Sequence, residues 1–310
     1  MYQKLLKKNH LWKRIFRNRG LYLLLLPSLI LLICFNYIPM YGVLISFKDY
    51  KGSLGILGSP WADPWFKYFI KYFNSYQFVN TIKNTLVITG YSLLVSFPIP
   101  IIFALAINQM RTSKYKKVFQ TVSYMPHFIS TVVVVGMLNL IFSPGTGLIG
   151  NLFGLFGAEA PNLLGSATAF KHLYVWSDVW QHVGWDSIIY IAALSSVDPY
   201  LYEAASIDGA SQFQKILYID IPMLIPTAMT LLILRCGGLM ALGFEKVYLM
   251  QNDLNLLNSE VISTYVYKVG MISAQFSYSS AVNLFSTIIN FILLISVNKF
   301  SRKVSENSLW

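Results

Sequence analysis

The chain has 310 residues, of which 55% are hydrophobic and 12% charged, with a mean hydropathy of +0.53 and a formal charge of +11 at pH 7. Soluble domains carry about 25% charged residues, so the surplus apolar surface has to face lipid, and the class is an all-α polytopic membrane protein. The excess of lysine and arginine sits at the ends of apolar runs, which argues against a nucleic-acid partner, and Cys34 and Cys236 lie within apolar runs without metal-site or disulfide spacing.

Residues 1–20 form a basic N-terminus with seven Lys and Arg and no acid. The first apolar run, Leu21 to Phe47, is too long for a signal-peptide core of about 7–15 residues, so it is expected to span, bent at Pro27 and Pro39. Lys48 to Ile82 is a mixed loop whose Trp61, Trp65, Tyr68, Tyr72 and Tyr76 suit a headgroup-level belt. The second span is expected at about 85–107, with Pro98 and Pro100 inside it. A basic turn, Arg111 to Lys117, leads to the third at about 118–142, interrupted at Pro126-His127. A Gly-rich outer loop follows, then an unusually polar fourth span at about 170–194, a polar loop at 197–220, a fifth span at about 221–244 containing Arg235, a longer polar loop, and a sixth span at about 281–297.

Orientation follows from Lys and Arg. With both termini in the cytoplasm, the inner segments 1–20, 108–117, 195–220 and 298–310 hold fifteen of the 24 Lys and Arg residues. The longer outer loops and their borders hold eight. The expected organisation is therefore a six-span body over 21–300, a cytoplasmic tail over 301–310, and a location in the cell membrane with lipid as surroundings.

The loop between the fourth and fifth spans is the most informative stretch. Tyr202 to Pro226 reads YEAASIDGASQFQKILYIDIPMLIP, with Glu203, Asp208, Lys215 and Asp220 in an otherwise apolar chain. It predicts a short helix, a sharp turn at Gly209, a second amphipathic helix, and a return to the membrane at Pro222. Glu203-Ala204-Ala205, Asp208-Gly209-Ala210, Ile219, Pro222 and Pro226 at this spacing resemble the EAA loop of ABC importer permeases. Leu24 to Tyr50, Tyr124 to Ser130, Val175 to Trp180 and Gly243 to Val247 resemble the oligosaccharide-uptake subgroup of that family.

The resemblance implies a type I importer fold and a coupling loop in which Glu203, Ala204, Ala205, Asp208, Gly209 and Pro222 act toward a separate ATPase. It also implies a second permease, two ATPase subunits and an extracellular or periplasmic solute-binding protein. The chain has no G-x-x-x-x-G-K-[ST] phosphate loop, so it is expected to be a transport subunit rather than an enzyme and to bind no cofactor, with ATP and Mg on the partner.

For transport, polar groups at membrane depth carry the information. The fourth span carries Trp176, Asp178, Trp180, Gln181, Trp185 and Asp186. Of these Trp176, Asp178, Trp180, Gln181 and Trp185, with Asn139 on the third span and Arg235 on the fifth, are candidates for a sugar pathway, since pyranoses stack on Trp and offer hydroxyls to amides and carboxylates. Trp176 and Trp180, four apart, share a helix face. Asp178 and Arg235 lie at similar depth, roughly 12 and 15 Å from the outer ends of their spans by helical rise, and either pair or share a water-filled path. The same loop also fits an ABC permease for amino acids or peptides. A secondary transporter would need inverted repeats, and a membrane enzyme a His or carboxylate cluster at ligand spacing; neither is evident.

Overall fold

The computed structural model describes residues 17–110 and 112–305. The basic segment ahead of Arg17, Arg111 and the tail 306–310 lie outside the described residues. In chain order the main helices are α1 (Arg19–Phe47), α2 (Lys67–Phe73), α3 (Tyr76–Asn108), α4 (Ser113–Phe128), α5 (Thr131–Phe142), α6 (Leu148–Leu155), α7 (Phe170–Ser195), α8 (Pro199–Ile207), α9 (Gln212–Cys236), α10 (Phe244–Met250), α11 (Ile262–Tyr267) and α12 (Phe276–Ser305). Among the described residues the β contact is one isolated bridge, Lys48 with Trp61.

Four helices, α1, α3, α9 and α12, are long and apolar enough to cross a membrane. The pair α4 and α5 makes a fifth if read as one span broken by 97°. The break falls at Ile129-Ser130, both extended, rather than at Pro126-His127. Pro126 instead tightens the last turn of α4, Met125–Phe128, into a 3₁₀ turn. Helix α7 has 26 residues, about 39 Å at 1.5 Å per residue, which is long enough to span. Its Asp178, Asp186, Gln181 and two histidines keep its hydropathy below that of the others.

Several boundaries move. The second span begins at Tyr76, nine residues before Thr85, because the Thr and Asn residues there face protein rather than water. The third begins at Ser113, so most of the basic turn is helical. Prolines are absorbed by changes of pitch: a π turn over Ile33–Tyr37 precedes Pro39, and another over Ile216–Asp220 precedes Pro222. A wider turn frees the ring of Pro from the carbonyl it would strike. Helix α9 therefore enters from Gln212 without interruption, and Pro222 is not its starting point.

Its far end is the larger correction. α9 stops at Cys236 rather than running to Phe244. Gly237 and Gly238 end it, and residues expected in an outer loop fold back as α10 against α5 and α7. The expected aromatic belt is also divided: Trp61, Trp65 and Tyr76 are exposed, but Tyr72 is fully buried among Phe78, Tyr265, Tyr278 and Phe285.

Cohesion here does not come from hydrophobic transfer, since lipid is as apolar as a core. It comes from close packing and interhelical hydrogen bonds. Along α3, Thr81, Asn84, Thr85 and Thr89 recur at helical spacing on one buried face. Asn84 Nδ2 donates to the carbonyls of Leu257 (2.9 Å) and Glu260 (3.0 Å), Thr85 Oγ1 accepts from the Ile262 amide (3.0 Å), and Thr89 Oγ1 donates to the Leu239 carbonyl (3.1 Å). Asn290 of α12 serves the same break, donating to Gly237 and accepting from the Met240 amide. Irregular backbone at membrane depth is tolerated where such partners are supplied. Helix α1 stands apart: its apolar stretch has no buried residue, and its last turns pack against α12.

Candidate functional site

Two polar zones stand out from this apolar frame. The first lies along α7, whose Asp178 and Asp186 are eight residues apart and so lie roughly 12 Å apart along one side of the helix. Asp178 Oδ1 is 3.4 Å from Lys246 Nζ of α10 and 3.3 Å from His182 Nδ1. Lys246 is only 5% exposed and also sits over the Tyr174 ring at 5.4 Å. Asp186 is paired with Arg235 of α9. Asp178 and Arg235 are therefore not partners. Placing the end of the fifth span at Phe244 sets Arg235 too deep, whereas α9 ends one residue after it. Helical side chains lean toward their own N-termini, so on oppositely running helices Arg235 reaches back along α9 and meets Asp186.

Asp178 and Arg235 do border one cavity, of about 260 Å³, together with Thr89, Gly238 and Gly243. Arg235 and Asp186 border a second, of about 560 Å³, with Phe97, Pro100 and Trp185. Arg235 thus stands at both. A groove of about 420 Å³ between α5 and α7 holds Trp176 and Trp180, so the expected shared face is real. The Trp176 indole donates to Tyr91 Oη at 3.0 Å.

The remaining pathway candidates are placed differently. Gln181 is 4% exposed and donates to the Ile129 carbonyl at 2.8 Å, which is left free by the break between α4 and α5. Asn139 is exposed on α5 and lines none of these three cavities. Trp185 stacks on His127, with ring centres 4.4 Å apart and planes nearly parallel. Lys246 escapes a reading of the sequence because hydropathy leaves it in an outer loop. Its signal is a single Lys among Val247, Leu249 and Met250.

The second zone is the loop. Asp198 caps α8 by accepting from the Tyr200 amide (3.0 Å), and Pro199 follows at the first helical position. At the other end Gly209 has φ +75°, the Ala210 amide returns to the Ala205 carbonyl (2.8 Å) and the Gly209 amide to the Ser206 carbonyl (3.2 Å). This is a Schellman closure, which calls for glycine at the left-handed position. Ser211 and Gln214 then form a reciprocal capping box that starts α9.

The outward side of the loop carries Glu203, Ala204 and Asp208, all exposed, beside Ile207 at 87% and Phe213 at 72% exposure. The inward side carries Tyr202, whose hydroxyl donates to Asp220 Oδ1. Burial, and then the hydrogen bond to Asp220, pushes the Tyr202 phenol up to about 12, so it remains a donor at any physiological pH.

The family model of the binding-protein-dependent transport system inner membrane component matches residues 96–306. The chain is 40% identical over 98% of its length to the polygalacturonan/rhamnogalacturonan transport system permease protein YteP of Bacillus subtilis, covering 94% of that protein. It is also 40% identical to Protein LplB of the same organism, over 95% of this chain and 92% of that one. A solved bacterial ABC transporter involved in import of the acidic polysaccharide alginate has a chain that superposes with a TM-score of 0.87 at 37% identity, covering 96% of this chain and 99% of that one.

Proposed function

From the premise that this chain belongs to the family of binding-protein-dependent transport system inner membrane components, we propose that it is one of two permease subunits of an ATP-driven importer for an acidic oligosaccharide. The six crossings are α1, α3, α4 with α5, α7, α9 and α12, with both termini in the cytoplasm. A second, homologous permease completes the wall of the path. Two ATPase subunits, which hold ATP and Mg, dock on α8, and an external binding protein delivers the sugar; such a protein, loaded with an alginate pentasaccharide, is part of a related solved complex.

The observation that carries this reading is the loop. An exposed face of acidic and apolar residues on α8 is backed by a rigid Gly209 turn and continuous helix into α9. That is a surface for a partner joined to a lever. The cargo class is supported by the names of the relatives and by two cations facing α7: Arg235, which shares a cavity with half-exposed Trp185, and Lys246, which is paired with Asp178. A pyranose offers an apolar face to the indoles, and a uronate offers its carboxylate to the cations.

Affinity purification of the tagged chain in mild detergent, with mass spectrometry, tests the assembly. We expect a second permease and a P-loop ATPase to co-purify, and the ATPase to be lost on Glu203→Lys. A chain that comes down alone and moves solute in liposomes without ATP overturns the reading. The turn gives a second test. A Cβ at Gly209 meets no atom within 4 Å, yet φ +75° is strained for any other residue, by about 1–2 kcal/mol. Gly209→Trp is expected to insert and assemble but to lose uptake at least tenfold; wild-type uptake rates in that variant would refute the lever.

A further inference from the structure

One buried group behind the loop has a wider reach than its bond to Tyr202. Asp220 is fully buried at the last position of the π turn in α9. One of its carboxylate oxygens takes the Tyr202 hydroxyl from α8. The other takes Gln109 Nε2, at 3.0 Å, from the end of α3. A single carboxylate therefore joins three segments distant in sequence: the end of α3, the loop helix, and the first turns of α9.

We propose that Asp220 is the positioning residue that fixes α8 to the spans, so that displacement of α8 by the ATPases reaches α3 and α9 together. This rests on the coupling reading above. The geometry of α8 supports it. Covalently, α8 is joined to α7 through the turn at Asp198 and to α9 through the Gly209 closure; neither link reaches α3, which Asp220 adds through Gln109. Tyr202 and Glu203 are adjacent and so point about 100° apart on the helix: Glu203 outward, Tyr202 to Asp220. Both bonds end on a fully buried carboxyl group, a setting of low local dielectric in which hydrogen bonds are electrostatically stronger than in water. The brace from Lys215 Nζ to Ser206 Oγ, at 2.6 Å, is exposed and runs within the loop.

The test is the coupling ratio, sugar imported per ATP hydrolysed, of the complete complex in proteoliposomes, with oligogalacturonate as probe. Wild type is measured first. Transport without ATP ends the coupling reading and this proposal with it. With ATP-driven wild type, Tyr202→Phe and Asp220→Asn are expected to retain all subunits in the wild-type ratio and to keep hydrolysing ATP within about twofold of wild type. Each is expected to lower the coupling ratio at least fivefold, and the double variant no further, because both remove one strut. An unchanged coupling ratio overturns the proposal. So does a loss of uptake that merely follows loss of assembled complex, or additive defects in the double variant. If Asp220→Asn does not assemble, Tyr202→Phe, which keeps the ring and removes one hydroxyl, decides alone.

Discussion

Gly184→Leu is expected to leave almost no assembled protein in the membrane. Gly184 lies on α7 where α4 crosses it. A Cβ there falls 2.5 Å from the carbonyl carbon of Ser123 and closer still to its oxygen. These are backbone atoms of a packed helix and cannot rotate aside, so α4 and α7 must separate. Overpacking costs about 1–3 kcal/mol and more where backbone has to move. Separation also gives up the close approach that holds membrane helices together, in which small residues bring backbones near and dispersion does the rest. Even Gly184→Ala is expected to lower thermal stability of the detergent-solubilised protein. Gly136→Ala, where the added Cβ meets nothing within 4 Å, is expected to be neutral or to stabilise by up to about 1 kcal/mol, as Gly→Ala does within helices. The two substitutions thus have opposite signs for one chemical change. Normal abundance and melting temperature for Gly184→Leu would show that α4 and α7 do not pack this closely.

The features legible in the sequence are those written in local residue types. The tightened turn that ends α4 follows from Pro126, the left-handed turn of the loop from Gly209, and the shared groove of Trp176 and Trp180 from their spacing of four. What escapes is whatever depends on where a helix stops in three dimensions. Hydropathy alone carries the fifth span through Gly237-Gly238 to Phe244, which hands Arg235 the wrong partner and leaves Lys246 in a loop. The Thr81–Asn84–Thr85–Thr89 stripe has helical spacing, yet its purpose is visible only beside the irregular backbone at Leu239 to Ile262 that it satisfies. Tyr72 and Gln181 share that lesson. An aromatic near an interface and an amide at membrane depth each have both a surface and a packing use, and only the neighbours decide between them. For Gln181 the neighbour is the Ile129 carbonyl in the extended break between α4 and α5, distant in sequence but adjacent in space.

Exchanging the charges of Arg235 and Asp186 is expected to restore the protein but not its transport. The pair joins α9 to α7, and its side chains are 36% and 28% exposed. Loss of one partner from a fully buried pair costs about 3–5 kcal/mol; with a third of each side chain exposed, screening lowers this to about 1–3 kcal/mol. Arg235→Ala and Asp186→Ala should therefore each lower the abundance of the complex in the membrane, and the exchanged double variant, Arg235→Asp with Asp186→Arg, should recover it. The corresponding exchange between Arg235 and Asp178 should not, because those two do not touch. Uptake discriminates further. Arg235 borders both cavities that Asp178 and Asp186 line, so a carboxylated sugar passing between them meets its guanidinium. In the exchanged variant the cation sits on α7 and the carboxylate on α9, which, on the proposed function, places a negative charge where a uronate would dock. Uptake of oligogalacturonate is expected to remain below about a tenth of wild type although the complex is present. Full recovery of uptake along with abundance would reduce the pair to a structural tie, and would move the search for the anion's partner to Lys246, the buried cation paired with Asp178.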